Sequence, residues 1–308
     1  MRYLLLSAIL AFPSWLLSQD TSIYFNQKAF TLAEVVVRNN FDYRAVLSAI
    51  QQDTSFYKAF RNLRILGYSS YNDIRLLGKN DQPKASLFSK TKQHRYNNCR
   101  YTEVLQEEVS GDFYGSGRKY NYMTAELYAS LFFAKDTICG ENNIVKGHNL
   151  RASGKKGLDK HKEQLKMLFF NPGKKIPGIP FIGDKLDLYD ESAHELYDYR
   201  LDIAEWHGTL VYVFSITPKE DLGVFKNDRI VVDRMVTWMD MKTLEVMARN
   251  YSLSYKAGVY DFDVSMEVEM TRYKEWIVPK VLRYKGNWDV IFKKREKAVF
   301  TATLFDFQ

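Results

Sequence analysis

The sequence predicts a mainly β, α+β protein built on one antiparallel sheet, with a wet face, a dry face and a minority of helices to cover the dry one. Three observations predict it. In residues 260–270, YDFDVSMEVEM, Tyr260, Phe262, Val264, Met266, Val268 and Met270 are apolar, while Asp261, Asp263, Ser265, Glu267 and Glu269 between them are polar. Successive side chains of a strand point to opposite faces, so one side of this stretch meets water and the other an apolar neighbour. The last third of the chain repeats such runs between short turn-forming clusters, which is how antiparallel neighbours are joined. Near 42–62 and 158–170 the apolar residues fall instead at helical spacing, giving two candidate covers.

The chain opens MRYLLLSAILAFPSWLLSQD: one Arg, an apolar run, then small and polar residues. That is the layout of a secretory signal peptide cleaved after Ser18. No Cys follows the run to carry a lipid, and no other stretch approaches the roughly 20 apolar residues of a membrane helix. The expected organisation is a signal peptide over 1–18, an N-terminal extension over 19–40 and a single domain over 41–308. Within the extension, LAEVVVRNN reads as a short strand.

Asp42 can cap a helix to about residue 52 through Val46, Ala49 and Ile50, and Thr54 a second one carrying Tyr57 and Phe60. LRILGYSSYNDIRLL then reads as strand, 78–86 as a turn, and 87–138 as two to four strands punctuated by Gly111, Gly115 and Gly117. Residues 140–157 read as loop. Asp159 can cap a helix with His161, Leu165, Leu168 and Phe169 on one face, ended by Asn171-Pro172-Gly173. From 200 on, a meander of roughly six strands is expected. Its turns are placed at Met241-Lys242-Thr243, Ala257-Gly258, Lys285-Gly286-Asn287 and the basic Lys293–Lys297.

The formal charge is +7, and Arg2 leaves with the signal. An exported basic protein is not expected to meet nucleic acid; its charge suits anionic lipid or polysaccharide, or only confers solubility. Lys293, Lys294 and Arg295 form the candidate peripheral membrane contact. Cys99 and Cys139 are an even pair in an oxidising compartment, read either as a disulfide or as two separate thiols. A bridge closing that loop would stabilise by about 4 kcal/mol in the chain-entropy model.

No catalytic constellation emerges. GDKLDLYDESAH gathers Asp184, Asp187, Asp190, Glu191 and His194 without the ordered oxygen spacing of a calcium loop, so no metal is expected. There is no GxSxG and no HExxH; Cys99 close to His94 is a weak nucleophile candidate, because closeness in sequence is not geometry. The paired carboxylates of 261–269 belong to the wet face. No cofactor is expected.

What remains is the apolar face itself. Tyr212, Phe214, Trp238, Tyr260, Phe262, Val264, Met266 and Trp276 are the candidate ligand-binding residues. Two readings are open: a core filled by the helices, or a cavity that the helices leave partly uncovered. An acyl chain in such a cavity gains about 0.8 kcal/mol per buried methylene and needs no particular polar residue.

The order of elements resembles the half-barrel fold of the periplasmic lipoprotein-sorting carriers and their outer-membrane receptors. AVLSAIQQDTSFYKAFRNLRILGYSSY resembles the helix-then-first-strand opening of that superfamily, and YRLDIAEWHGTLVYVFSITPK its strand, Gly turn and aromatic–aliphatic strand. MVTWMDMKTLEVMARNYSLSY resembles its strand, Asp-x-x-Thr turn and strand, and EWIVPKVLRYK its tryptophan–proline strand. LAEVVVR followed by a helix is similar to uncharacterised exported envelope proteins of Gram-negative bacteria. The resemblance covers 42–308 and assigns no ligand-contacting residue. It implies a strongly curved, antiparallel half-barrel with helices on the concave face. It also implies a non-catalytic role in the periplasm or at the outer membrane, and a lipid, a lipoprotein acyl chain or an envelope protein as partner.

Overall fold

The computed structural model describes residues 23–25, 28–30, 48, 50–145, 166, 168–170, 172–175, 184–223, 226, 228–256, 260–290 and 295–308. The signal peptide, the LAEVVVR strand, the start of the Asp42-capped helix and most of the Asp159-capped helix lie outside them.

A short hairpin, β1 (Ile23–Phe25) with β2 (Lys28–Phe30), stands apart from the main sheet. That sheet comprises β3 (Tyr68–Leu77), β4 (Pro83–Tyr96), β5 (Cys99–Gly111), β6 (Ile138–Cys139), β7 (Tyr197–Trp206), β8 (Thr209–Pro218), β9 (Val232–Asp240), β10 (Val246–Lys256), β11 (Tyr260–Tyr273), β12 (Trp276–Val290) and β13 (Glu296–Phe305). The spatial order of the 11 strands is β6-β5-β4-β3-β13-β12-β11-β10-β9-β8-β7. Every pair is antiparallel, and β7 does not close onto β5 or β6, so the sheet is an open half-barrel, as expected. Among the described residues, two complete helices lie on its covered face: α1 (Ser55–Asn62) and α2 (Met123–Phe132).

The alternation that predicted β11 is realised side chain by side chain. Phe262, Val264, Met266, Val268 and Met270 are at most 5% exposed. On the other face Arg283 lies 3.5 Å from Glu267, and Lys280 3.8 Å from Glu269. The Asp-x-x-Thr turn also forms. Asp240 Oδ1 accepts from the backbone N–H of Lys242 and of Thr243, both at 2.8 Å.

Residues 197–305 form seven strands where roughly six were expected. The β7–β8 turn hides inside the alternating run from Trp206 to Ile216, at His207 and Gly208, both with positive φ. Conversely, Lys285-Gly286-Asn287 does not turn: β12 runs straight through it, paired with β11 and β13. Gly286 is there for space. A Cβ at this position would overlap the hydroxyl end of the Tyr284 ring, which folds back over it. The third difference is α2, in a region read as strand. Its aromatic residues suit a strand, and no side chain of its own caps it.

Candidate functional site

Among the described residues, the covered face of β8–β13 is where the topology brings candidate site residues together. Tyr251 and Leu253 of β10, Leu282, Tyr284 and Trp288 of β12, and Phe300 of β13 join the β11 row in one buried cluster. From above, α1 contributes Phe56, Ala59 and Phe60, residues 168–170 contribute Leu168 and Phe169, and Leu186 and Leu188 complete the layer. Phe169 stacks on Tyr284 at 5.2 Å, and Phe60 meets Phe170 edge-on at 4.8 Å. The Tyr251 hydroxyl donates to the Phe169 carbonyl at 3.1 Å. Burial holds the hydroxyls of Tyr251, Tyr284 and Tyr128 well above the usual tyrosine range, so they serve as neutral hydrogen-bonding groups.

Helix α1 is pinned at both ends. Asp53 Oδ1 accepts the Ser55 N–H at 2.8 Å, so Asp53 does the capping that was expected of Thr54. Ser55 Oγ accepts the Val246 N–H of β10 at 2.9 Å, and the Asn62 amide donates to the Ile277 carbonyl of β12 at 2.8 Å. Arg249, which interrupts the apolar pattern of β10, lies under the helix with its guanidinium 4.5 Å from the centre of the Phe56 ring, its Nε donating to Thr237 Oγ1 at 3.0 Å and its charge 3.8 Å from Asp53. Beyond the helix end, Gln93 donates to the carbonyls of Leu63 and Leu66.

The outer side of α1 is held by one segment. Lys58 donates to the Asn143 carbonyl at 2.7 Å, Arg61 to the Asn142 carbonyl at 2.6 Å, and Arg64 pairs with Glu141 at 2.7 Å. Glu141 also receives Arg100 of β5. Burial raises the Glu141 carboxyl, but Arg100 and Arg64 together outweigh it and leave the group below its usual range. Cys139 begins this segment and is disulfide-bonded to Cys99 of β5, so the bridge reading holds and no thiol remains beside His94.

Of the expected ligand-binding residues, Phe214, Phe262, Val264 and Met266 are at most 5% exposed, and Tyr212 is 9% exposed. Trp276 is partly buried at the margin of the same cluster, with Lys58 over its ring. Trp238 does not join them. Met235, Thr237 and Met239 point to the covered face, so Val236 and Trp238 point away, and Trp238 packs on Trp206 at 5.3 Å in a separate small cluster. The β9 strand carries apolar residues on both faces, which defeats a reading by alternation. The backbone of Tyr260 pairs in β11; its side chain is outside the described residues.

Missed altogether was a buried polar ladder under α2. Ser70 bonds to Thr91 at 2.8 Å, Asn72 donates to Ser89 and Thr91 at 3.3 Å, and the Tyr128 hydroxyl donates to Asn72 Oδ1 at 2.7 Å. Its signal was present in β4, where Ala85, Leu87, Ser89, Thr91 and Gln93 alternate with Phe88, Lys90 and Lys92.

Other candidate chemistry disperses. Asp184 pairs with Lys175, Asp187 accepts the Tyr189 N–H, and Asp190 accepts the Ser192 N–H, so these carboxylates serve local turns. Among the described residues no three His, Cys, Asp or Glu side chains could hold a metal. Arg295 lies 3.0 Å from Asp289 and 3.6 Å from Asp261, so its charge is met on the sheet; Lys293 and Lys294 are outside the described residues. A cavity of about 500 Å³ opens beside β7 and β8, lined by Glu195, Asp198, Lys219, Glu220, Asp221 and Lys226 among others, and it reaches none of the apolar-face residues. No described helix is long and apolar enough to cross a membrane.

No family model matches the chain, and no curated protein matches it in sequence. Solved structures do. One is a putative outer membrane lipoprotein-sorting protein domain from Vibrio parahaemolyticus, 9% identical, covering 84% of this chain and 92% of that one at a TM-score of 0.27. Another is a DUF1329 family protein from Desulfovibrio piger, 10% identical, with 82% and 91% covered at a TM-score of 0.25. A third is lipovitellin, from a structure of its lipid–protein interactions, 8% identical, with 79% of this chain and 25% of that one covered at a TM-score of 0.24. The first is of the same class as the sequence resemblance.

Proposed function

We propose that the chain is an exported, non-catalytic binding protein of the periplasm or outer membrane that holds an apolar, lipid-like chain between its sheet and α1. The observation that supports this most is the make-up of the covered face. Strands β8–β13 turn one aromatic- and methionine-rich surface inward. Over β8–β12 the described cover is a single eight-residue helix and short segments, not a second sheet. A bound acyl chain would take the place of Phe169 and its neighbours against Tyr251, Met266 and Tyr284. It would be recognised by area alone, at about 0.8 kcal/mol per methylene.

A second reading, a structural or assembly protein of the envelope with a filled core, is favoured by one fact: Phe214, Phe262, Val264 and Met266 are already buried against the chain's own side chains. Native mass spectrometry of the processed protein, purified from its own envelope fraction and followed by lipid extraction, separates the two. The lipid reading expects a co-purifying acyl-chain molecule, displaced when Met266→Lys still folds. A ligand-free mass with no uptake of added lipid sinks it and leaves the filled core.

A further inference from the structure

The sheet has two lateral edges, and they are treated differently. At one edge, β7 has its apolar side chains at least partly buried, and Arg200 pairs with Asp202 at 2.7 Å. At the other, β6 pairs with only Cys99 and Arg100 of β5, and Thr102 exchanges bonds with Ala134. Beyond Thr102, β5 has no described backbone partner except β4. Val104, Leu105 and Val109 are 53%, 48% and 44% exposed. Between Tyr101 and Gly111 there is no Lys, Arg or Pro; the edge is marked by a bulge at Leu105 and by acidic side chains at Glu103, Glu107 and Glu108, which oppose a like-charged strand and leave a basic one unopposed.

We propose that the β5 edge is a docking strand, and that its occupant is an extended segment of another polypeptide that alternates basic and apolar side chains. A backbone matches the row of N–H and C=O groups that has no partner among the described residues. Pairing opposite Val104 and Val109 places the partner's apolar side chains beside them. Glu103 and Glu108 stand on the opposite face, beside the partner's remaining side chains. The same charges argue against a second copy. Two β5 edges would set Glu103 and Glu108 against themselves, Glu107 being paired with Arg118, and the β7 edge carries Asp198, Asp202 and Glu205 against a single Arg200. Like charges across strands are destabilising.

The test uses the full processed chain and a dye-labelled, end-capped eight-residue peptide of alternating Lys and Val, followed by fluorescence anisotropy. The expected result is binding at least tenfold tighter than that of the same peptide N-methylated throughout, or of an alternating Glu–Val peptide. Val109→Lys should weaken it at least tenfold. A Glu103→Lys, Glu108→Lys double variant should invert the preference towards the Glu–Val peptide, which keeps the idea testable if Val109→Lys does not fold. Equal binding of the N-methylated peptide overturns the proposal, because attraction without strand pairing then explains everything. A micromolar dimer in sedimentation that is abolished by Val109→Lys, with no peptide uptake, also overturns it, in favour of a second copy.

Discussion

The carboxylate of Glu296, at the start of β13, caps a helix that begins 173 residues earlier. It accepts the backbone N–H groups of Met123 at 2.8 Å and Thr124 at 2.9 Å, and the Thr124 hydroxyl at 2.8 Å. The first turn of α2 has no cap of its own, so its orphan donors are met from the sheet below. Glu296→Ala should therefore destabilise the protein by about 2 kcal/mol, from a lost cap plus buried donors left unpaired. Glu296→Gln keeps an acceptor and should cost less. Urea unfolding of the three proteins checks the order.

The disulfide is expected to act on α1 through the segment it anchors. Cys139 anchors the segment whose Glu141, Asn142 and Asn143 hold Arg64, Arg61 and Lys58. In a Cys99→Ser, Cys139→Ser double variant, hydrogen exchange over 55–62 should accelerate more than exchange in β11. Equal protection of α1 in both proteins would show that its contacts with the sheet suffice.

Phe262 distinguishes a filled face from one that admits a guest. It packs on Trp288 at 5.2 Å in the buried cluster. Phe262→Ala should cost about 3–5 kcal/mol. If the face takes apolar chains, the vacated volume should raise uptake of a long-chain fatty acid probe, read by native mass spectrometry. A destabilised variant with unchanged uptake counts against the proposed site.

Asp240 predicts a pH dependence. The backbone N–H of Thr243, then that of Lys242, hold its carboxyl below the usual aspartate range. A depressed folded-state value means stability that is present above the unfolded value and lost as pH falls through the folded one. Asp240→Ala should cost about 1 kcal/mol at neutral pH. The gap to the wild type should narrow as pH falls through the usual aspartate range and below it, which thermal melts across pH would reveal.

Sheet faces were legible where a strand has one wet side. β11 is read correctly at every described position, because Asp261 to Glu269 contrast with Phe262 to Met270. The reading failed where that contrast is absent. Trp238 sits on a strand apolar on both sides, and β4 buries Ser89, Thr91 and Gln93 while Phe88 points away from them. α2 was illegible because its cap, Glu296, is supplied by tertiary structure. The cover of the candidate site was half legible. Tyr57 and Phe60 gave α1, but the hold of residues 141–143 upon it depends on a bond that spacing alone left open.

The central seam of the sheet is β13 against β3, with Lys297 facing Leu77 and Phe305 facing Ser69. Gly67 and Gln308 exchange two backbone bonds at its end. The two wings of the sheet therefore join only through a pairing of very high sequence separation. Proteins dominated by such pairings fold slowly, because the entropy of closing the loop precedes the contacts that reward it. Until the last strand docks, β3 is itself a bare edge, open to mispairing. Refolding should accordingly be slow and sensitive to protein concentration, with the outer hairpins forming before the middle of the sheet does.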